Sequence, residues 1–220
     1  MKIVALHSRR KHLYGIEFDC AIEPKDYGAT ADSTGLIGID RVICDSYHLC
    51  SGLELDDATL REIVEASHCS RAKSRALWYL EQSDCSKKQL IEKLRRNFPE
   101  AAAIYAADKM EELGFIDDRR YAERLAKNYV TQKRVAPKKA AFLMSSKGID
   151  RDLAKEIAED VETDSVEVIK ELINKKYRNS LGDEKSLNRT VAALARRGFS
   201  FSDIRTAIRL YNNEIELFEE

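Results

Sequence analysis

The stretch RTVAALARRGF (189–199) repeats, in pattern rather than in letters, two earlier ones, KAAFLMSSKGI (139–149) and QLIEKLRRNF (89–98). Leu94, Met144 and Leu194 stand 50 residues apart, and Ile91, Ala141 and Val191 keep the same interval one helical turn earlier. After each come basic residues (Arg95 and Arg96; Lys147; Arg196 and Arg197), then Asn97, Gly148 or Gly198, then an apolar Phe98, Ile149 or Phe199. Gly or Asn at that point is expected to take the left-handed conformation that ends a helix, with the next apolar residue packing back. A fixed period of this length marks a helical repeat.

Working outward, the helical period runs without interruption from about Ala72. The repeat predicts three helices per unit, at about 72–82, 86–97 and 99–113; 117–133, 136–147 and 150–161; and 164–179, 183–197 and 200–213. A three-helix unit this small buries its apolar faces poorly alone, so neighbouring units are expected to stack into an elongated array with a long binding surface and no deep pocket. The segmentation is 71–115, 116–162 and 163–220 for the repeats, with a linking helix at 53–70 capped by Asp56. Ahead of it, residues 1–52 form a small β-containing segment. Its β-leaning runs are KIVAL (2–6), LYGIEFDCAI (13–22), GLIGI (35–39) and RVICD (41–45), separated by Pro24, Gly28 and Asp/Ser/Thr-rich turns.

The junction LGFIDDRRYAERL (113–125) shows how one repeat passes to the next. Gly114 is placed to end a helix with Phe115 against Met110, Asp117 to cap the following one, and Ile116 to staple onto Tyr121. Asp117 and Asp118 suit the positive end of a helix dipole and have no histidine or metal knuckle beside them, so they are read as turn residues, not catalytic carboxylates.

Charge is uneven. Residues 1–70 carry 7 basic and 12 acidic side chains, 71–148 carry 18 and 10, and 149–220 carry 12 and 16, within a net charge of −1. A basic middle between acidic ends fits a polyanionic partner or an acidic protein surface. On a helix at 100° per residue, Arg120, Arg124, Lys127, Thr131 and Arg134 form one stripe, roughly 140° from the apolar face of Tyr121, Leu125 and Tyr129. Lys138 and Lys139 extend the charge beyond Pro137, which is well placed at a helix start. A phosphate backbone or an acidic groove suits such a stripe. A solvated surface helix would carry the same charges.

Signals of enzymatic chemistry are absent: no phosphate loop, no HExxH, no GxSxG, and four histidines without partners at a recognised spacing. The five cysteines, Cys20, Cys44, Cys50, Cys69 and Cys85, lack paired knuckles and are read as free, partly buried thiols rather than zinc ligands or a disulfide framework. No metal or cofactor is expected. Trp78 and Tyr79 are assigned to the core of the first repeat. No run of about 18 apolar residues and no secretory signal is visible, so a cytoplasmic protein without a membrane span is expected.

ALWYLEQSDCSKKQLIEKLRRN (76–97), DKMEELGFIDDRRYAERLAKNYV (108–130) and LARRGFSFSDIRTAI (194–208) together resemble the RecX family of bacterial recombination regulators. The likeness extends from about Gly52 to Tyr211, and EELGFIDDRRYAE (111–123) is its most specific part. It implies a mainly α fold, with three tandem helix-turn-helix-like repeats in an elongated curved array behind a short N-terminal segment. It also implies a monomeric, non-enzymatic regulator that binds the RecA recombinase filament on single-stranded DNA, usually as an inhibitor, and so touches DNA repair, recombination and the SOS response. Single- or double-stranded DNA would be met through the basic middle repeat. An autonomous DNA-binding array, or a scaffold for another protein, are the rival readings. Residues 20–50 are longer and richer in cysteine than the family's hairpin, and SSKGID (145–150) replaces a more basic repeat ending.

Overall fold

The computed structural model describes residues 1–9, 12–29, 34–178 and 181–219, with side chains as far as Asn213. The chain divides into two compact units, Met1–Ile116 and Asp117–Glu220. The Asp/Ser/Thr-rich turn expected after Gly28 and the last residue of the helix expected to reach 179 lie outside the described residues.

In the first unit, β1 (Ile3–Ser8), β2 (Leu13–Phe18) and β3 (Ile37–Asp40) form an antiparallel sheet in that order, with Leu6 opposite Ile16 and Tyr14 opposite Ile39. Ile3, Ile16, Ile37 and Ile39 point to one face and are sealed by Leu60, Ile63 and Val64. The run RVICD, expected as a strand, is instead helix α1 (Arg41–Ser46). A short apolar run does not choose between strand and helix by period. Here the Asp40 carboxylate accepts from the Val42 amide and starts a helix.

Helix α2 (Asp57–Gln82) runs unbroken through the position where two helices were expected to meet. Nothing in HCSRAKS (68–74) breaks a helix: it has no Gly or Pro. The first half of α2 covers the sheet. Its second half joins α3 (Lys87–Leu94) and α4 (Glu100–Glu112) in a separate core. That core is lined with alanines, Ala72 and Ala76 facing Ala102, Ala103, Ala106 and Ala107, all buried, so the two backbones approach closely. Trp78, expected in this core, is 47% exposed, with the Arg75 guanidinium 5.2 Å from its ring centre. Tyr79 packs partly against the core.

In the second unit, α5 (Asp118–Lys127), α6 (Pro137–Ser145) and α7 (Arg151–Glu159) enclose one core. Helices α8 (Ser165–Leu172), α9 (Glu184–Arg196) and α10 (Phe201–Glu219) enclose another. Helices α5 and α8 each widen at their C-termini into a π-helical turn, Asn128–Gln132 and Ile173–Tyr177.

The period of 50 is visible as burial. Leu94, Met144 and Leu194 are fully buried, one in each three-helix core, and Ile91, Ala141 and Val191 pack beside them. Leu90, Ala140 and Thr190 continue the series. Gly114, Gly148 and Gly198 end their helices at φ of 73°, 88° and 92°. Asn97 differs from expectation: among the described residues the positive-φ positions other than glycine are His48 and Arg134. Left-handed backbone costs a non-glycine residue about 1 kcal/mol or more. The chain avoids it with a tight turn, the amides of Asn97 and Phe98 both donating to the Leu94 carbonyl before Pro99 starts α4. At Gly114 the Schellman bonds form, Gly114 N to Glu111 O and Phe115 N to Met110 O, both at 2.9 Å. The apolar contact falls one residue later than expected, however: Phe115 is exposed, while Ile116 is buried in the core that holds Met110.

Candidate interaction surface

Helix α5 is set by its cap. The Asp117 carboxylate accepts from the Arg120 amide at 2.9 Å, as the junction sequence predicted. Ala122 and Ala126 then turn inward, leaving Arg120, Glu123, Arg124 and Lys127 exposed. Arg120 and Lys127 have no ion-pair partner among the described residues. Arg124 lies over the Tyr121 ring at 5.5 Å, which stiffens its long side chain. The neighbouring Arg119, also exposed, pairs with Glu156 of α7 at 2.9 Å, so of the two arginines of DDRRY one is tied in an ion pair to α7 and the other is not.

Past Lys127 the stripe drawn at 100° per residue ends. The π-helical turn Asn128–Gln132 inserts extra backbone and rotates the residues beyond it out of line. Thr131 spends its hydroxyl on the Lys127 carbonyl at 2.6 Å. Arg134 adopts φ of 53° and joins the following helices instead, its Nη2 lying 2.8 Å from Glu171 Oε2. Lys138 is exposed in the first turn of α6, after Pro137. Lys139 is half-buried, with its Nζ 4.7 Å from the centre of the Phe142 ring. The predicted residues therefore separate into an α5 row of Arg120, Arg124 and Lys127, an exposed Lys138, and two cations, Arg134 and Lys139, engaged in packing.

Sequence reading missed the reason that Arg134 is held. Arg197 Nη1 donates to the carbonyls of Lys133 and Arg134, at 2.7 and 3.2 Å, and the Ala136 amide donates back to the Arg197 carbonyl at 3.0 Å. Close to this clasp, Gly198 presents so little bulk that a Cβ there would stand 2.6 Å from the Cβ of Lys139. The position of Arg197 in the repeat was legible; its partners, more than 60 residues away, were not.

Among the described residues no three His, Cys, Asp or Glu side chains gather as a metal ion would require. Cys44 and Cys85 are buried, Cys69 is half-buried, and Cys20 and Cys50 are exposed. Burial pushes the Cys44 thiol up to about 11, away from the thiolate form a nucleophile needs. Among the described residues no helix is long and apolar enough to cross a membrane.

Tandem three-helix units behind a small sheet, with a cationic helix face as their most distinctive surface, define the chain as a helical-repeat protein. The family model described as "RecX, third three-helix domain" matches residues 162–208. Regulatory protein RecX of Chlorobium phaeobacteroides (strain BS1) is 32% identical over 135 residues, 60% of this chain and 88% of that one. Regulatory protein RecX of Listeria monocytogenes serotype 4a (strain HCC23) is 23% identical over 198 residues, 88% of this chain and 74% of its own. A crystal structure of regulatory protein RecX superposes with a TM-score of 0.65 at 22% identity, over 94% of this chain and 98% of that one. RecX from Lactobacillus salivarius gives 0.58 at 28%, over 67% and 98%. The chain belongs to the RecX family of regulatory proteins.

Proposed function

We propose that this protein binds the RecA recombinase in the cytoplasm and restrains its filament on single-stranded DNA, limiting recombination, DNA repair and the SOS response. The supporting observation is the exposed row Arg120, Arg124 and Lys127 on α5, in a chain whose relatives are named regulatory proteins. A row of cations on a rigid helix meets an acidic protein groove or a phosphate backbone without reorganisation. Seated on a filament, the repeats block monomer addition, hinder the movements coupled to ATP hydrolysis, or exclude an incoming duplex. No catalytic step belongs to the protein itself in this reading.

The experiment is inhibition of RecA's DNA-dependent ATPase by the wild type and by a variant carrying Arg120→Ala, Arg124→Ala and Lys127→Ala. The variant is expected to inhibit less while keeping its helical circular dichroism. Arg134 is left unchanged, because its side chain is tied to Glu171. Equal inhibition by the two proteins removes the α5 row from the interface. Anisotropy on bare DNA, run beside RecA-coated DNA, separates this function from autonomous DNA binding, whose affinity would fall steeply with salt.

A further inference from the structure

The two π-helical turns of the second unit border one cleft of about 320 Å³, whose lining includes Lys133, Arg134, Lys175, Lys176, Arg197 and Glu171. Five cations meet there against one carboxylate. The carboxylate is already committed: Glu171 Oε2 is sealed from solvent, 2.8 Å from Arg134 and 3.9 Å from Lys175. Arg197 is held by two carbonyls and Lys133 lies over the Tyr129 ring at 4.8 Å, so both heads are fixed at the cleft without an anion to neutralise them. Lys176 is exposed beside them.

Gathering like charges is unfavourable unless something offsets the repulsion. The backbone is also unusual at this place, with two π-turns and a left-handed arginine, both of which concentrate at functional sites. We propose that this cleft is a binding site for a phosphate group. A phosphate carries more than one negative charge and several acceptor oxygens, matching donors that arrive from α5's turn, α8's turn and Arg197 in different directions. A carboxylate ligand would satisfy fewer of them. The phosphate comes either from a nucleic-acid backbone or from a free phosphate compound, and it clamps the turn after α5 to the turn after α8. The site does not depend on RecA being the partner.

The test uses the full chain and pyrophosphate in low-salt buffer, read by thermal shift. Pyrophosphate is expected to raise the Tm of the wild type. A Lys175→Ala, Lys176→Ala variant should need about tenfold more pyrophosphate for the same rise, as the loss of charged donors implies. A Lys88→Ala, Lys155→Ala control, at exposed lysines outside the cleft and outside the α5 row, should behave as wild type. Lys176→Glu, a single change at an exposed side chain, repeats the test should the double variant fold poorly. No rise in the wild type, or the same response in all variants, overturns the site. A second arm follows a labelled single-stranded oligonucleotide by anisotropy. Its displacement by pyrophosphate, together with weaker binding to the Lys175/Lys176 variant, assigns the phosphate to nucleic acid. Oligonucleotide binding indifferent to both, with the thermal shift intact, assigns it to a free phosphate compound.

Discussion

Arg197 donates through Nη1 to the main-chain carbonyl of Lys133 at 2.7 Å, joining the turn after α5 to the end of α9 across 64 residues of sequence. A charged donor on a carbonyl is a strong local tie, and here one guanidinium serves two carbonyls.

Arg197→Ala should therefore destabilise the second unit by about 1.5–3 kcal/mol, the usual range for a hydrogen bond to a charged group. Arg197→Lys should recover part of it, since an ammonium reaches one carbonyl but lacks the planar fork. Urea unfolding midpoints measure both.

Gly198 and Gly114 separate backbone strain from crowding. Both hold left-handed backbone, but a Cβ at 114 meets nothing within 4 Å, whereas one at 198 meets Lys139 Cβ at 2.6 Å. Gly114→Ala should cost about 1–2 kcal/mol from conformation alone, and Gly198→Ala clearly more. Equal costs in thermal unfolding would mean that the α6 contact yields freely.

Ser86 starts α3 with a capping box: its hydroxyl accepts from the Gln89 amide at 3.1 Å, and the Gln89 side chain accepts from the Ser86 amide at 3.3 Å. Because Ser86 is fully buried, water does not replace the lost partner. Ser86→Ala should cost about 1–2 kcal/mol, with Ser86→Thr closer to wild type in thermal unfolding.

His68 gives the first unit a pH dependence. Burial holds its imidazole below the usual value against the opposing Gly28 carbonyl, 3.2 Å from Nε2, and the Arg71 charge lowers it further. The unfolded chain therefore binds this proton more readily than the folded one. The stability contribution is complete above the unfolded value of about 6.5 and is lost as pH falls through it towards the lower folded value. Urea midpoints of the wild type should drop between about pH 7.5 and about pH 5, and His68→Gln, which does not titrate, should flatten that drop. An unchanged slope in the variant would assign the dependence to other groups.

The limits of legibility fall on particular residues. RVICD looked like a strand because Val42, Ile43 and Cys44 carry no period, and the Asp40 cap decides the outcome. The stripe through Arg134 assumed a uniform helix. No sequence signal marks the π-turn at Asn128–Gln132, which arises where the end of α5 meets its neighbours. Ile116 rather than Phe115 fills the core after Gly114, a one-residue difference that packing sets. Of the candidate cations, the α5 members lie where helical spacing put them, and Arg134 does not.

Sequence by itself determined the repeat of 50 residues, its buried Leu94, Met144 and Leu194, the caps at Asp56 and Asp117, and the glycine stops at 114, 148 and 198. These are local in origin: side-chain period, the hydrogen-bonding reach of a cap, and the freedom of glycine act within a few residues of themselves. Only the tertiary structure decided that α5 and α8 end in π-turns, that Arg134 turns left-handed towards Glu171, and that Arg197 clasps the chain 64 residues away to complete a cationic cleft. Those features exist because distant segments compete for the same space and the same hydrogen bonds.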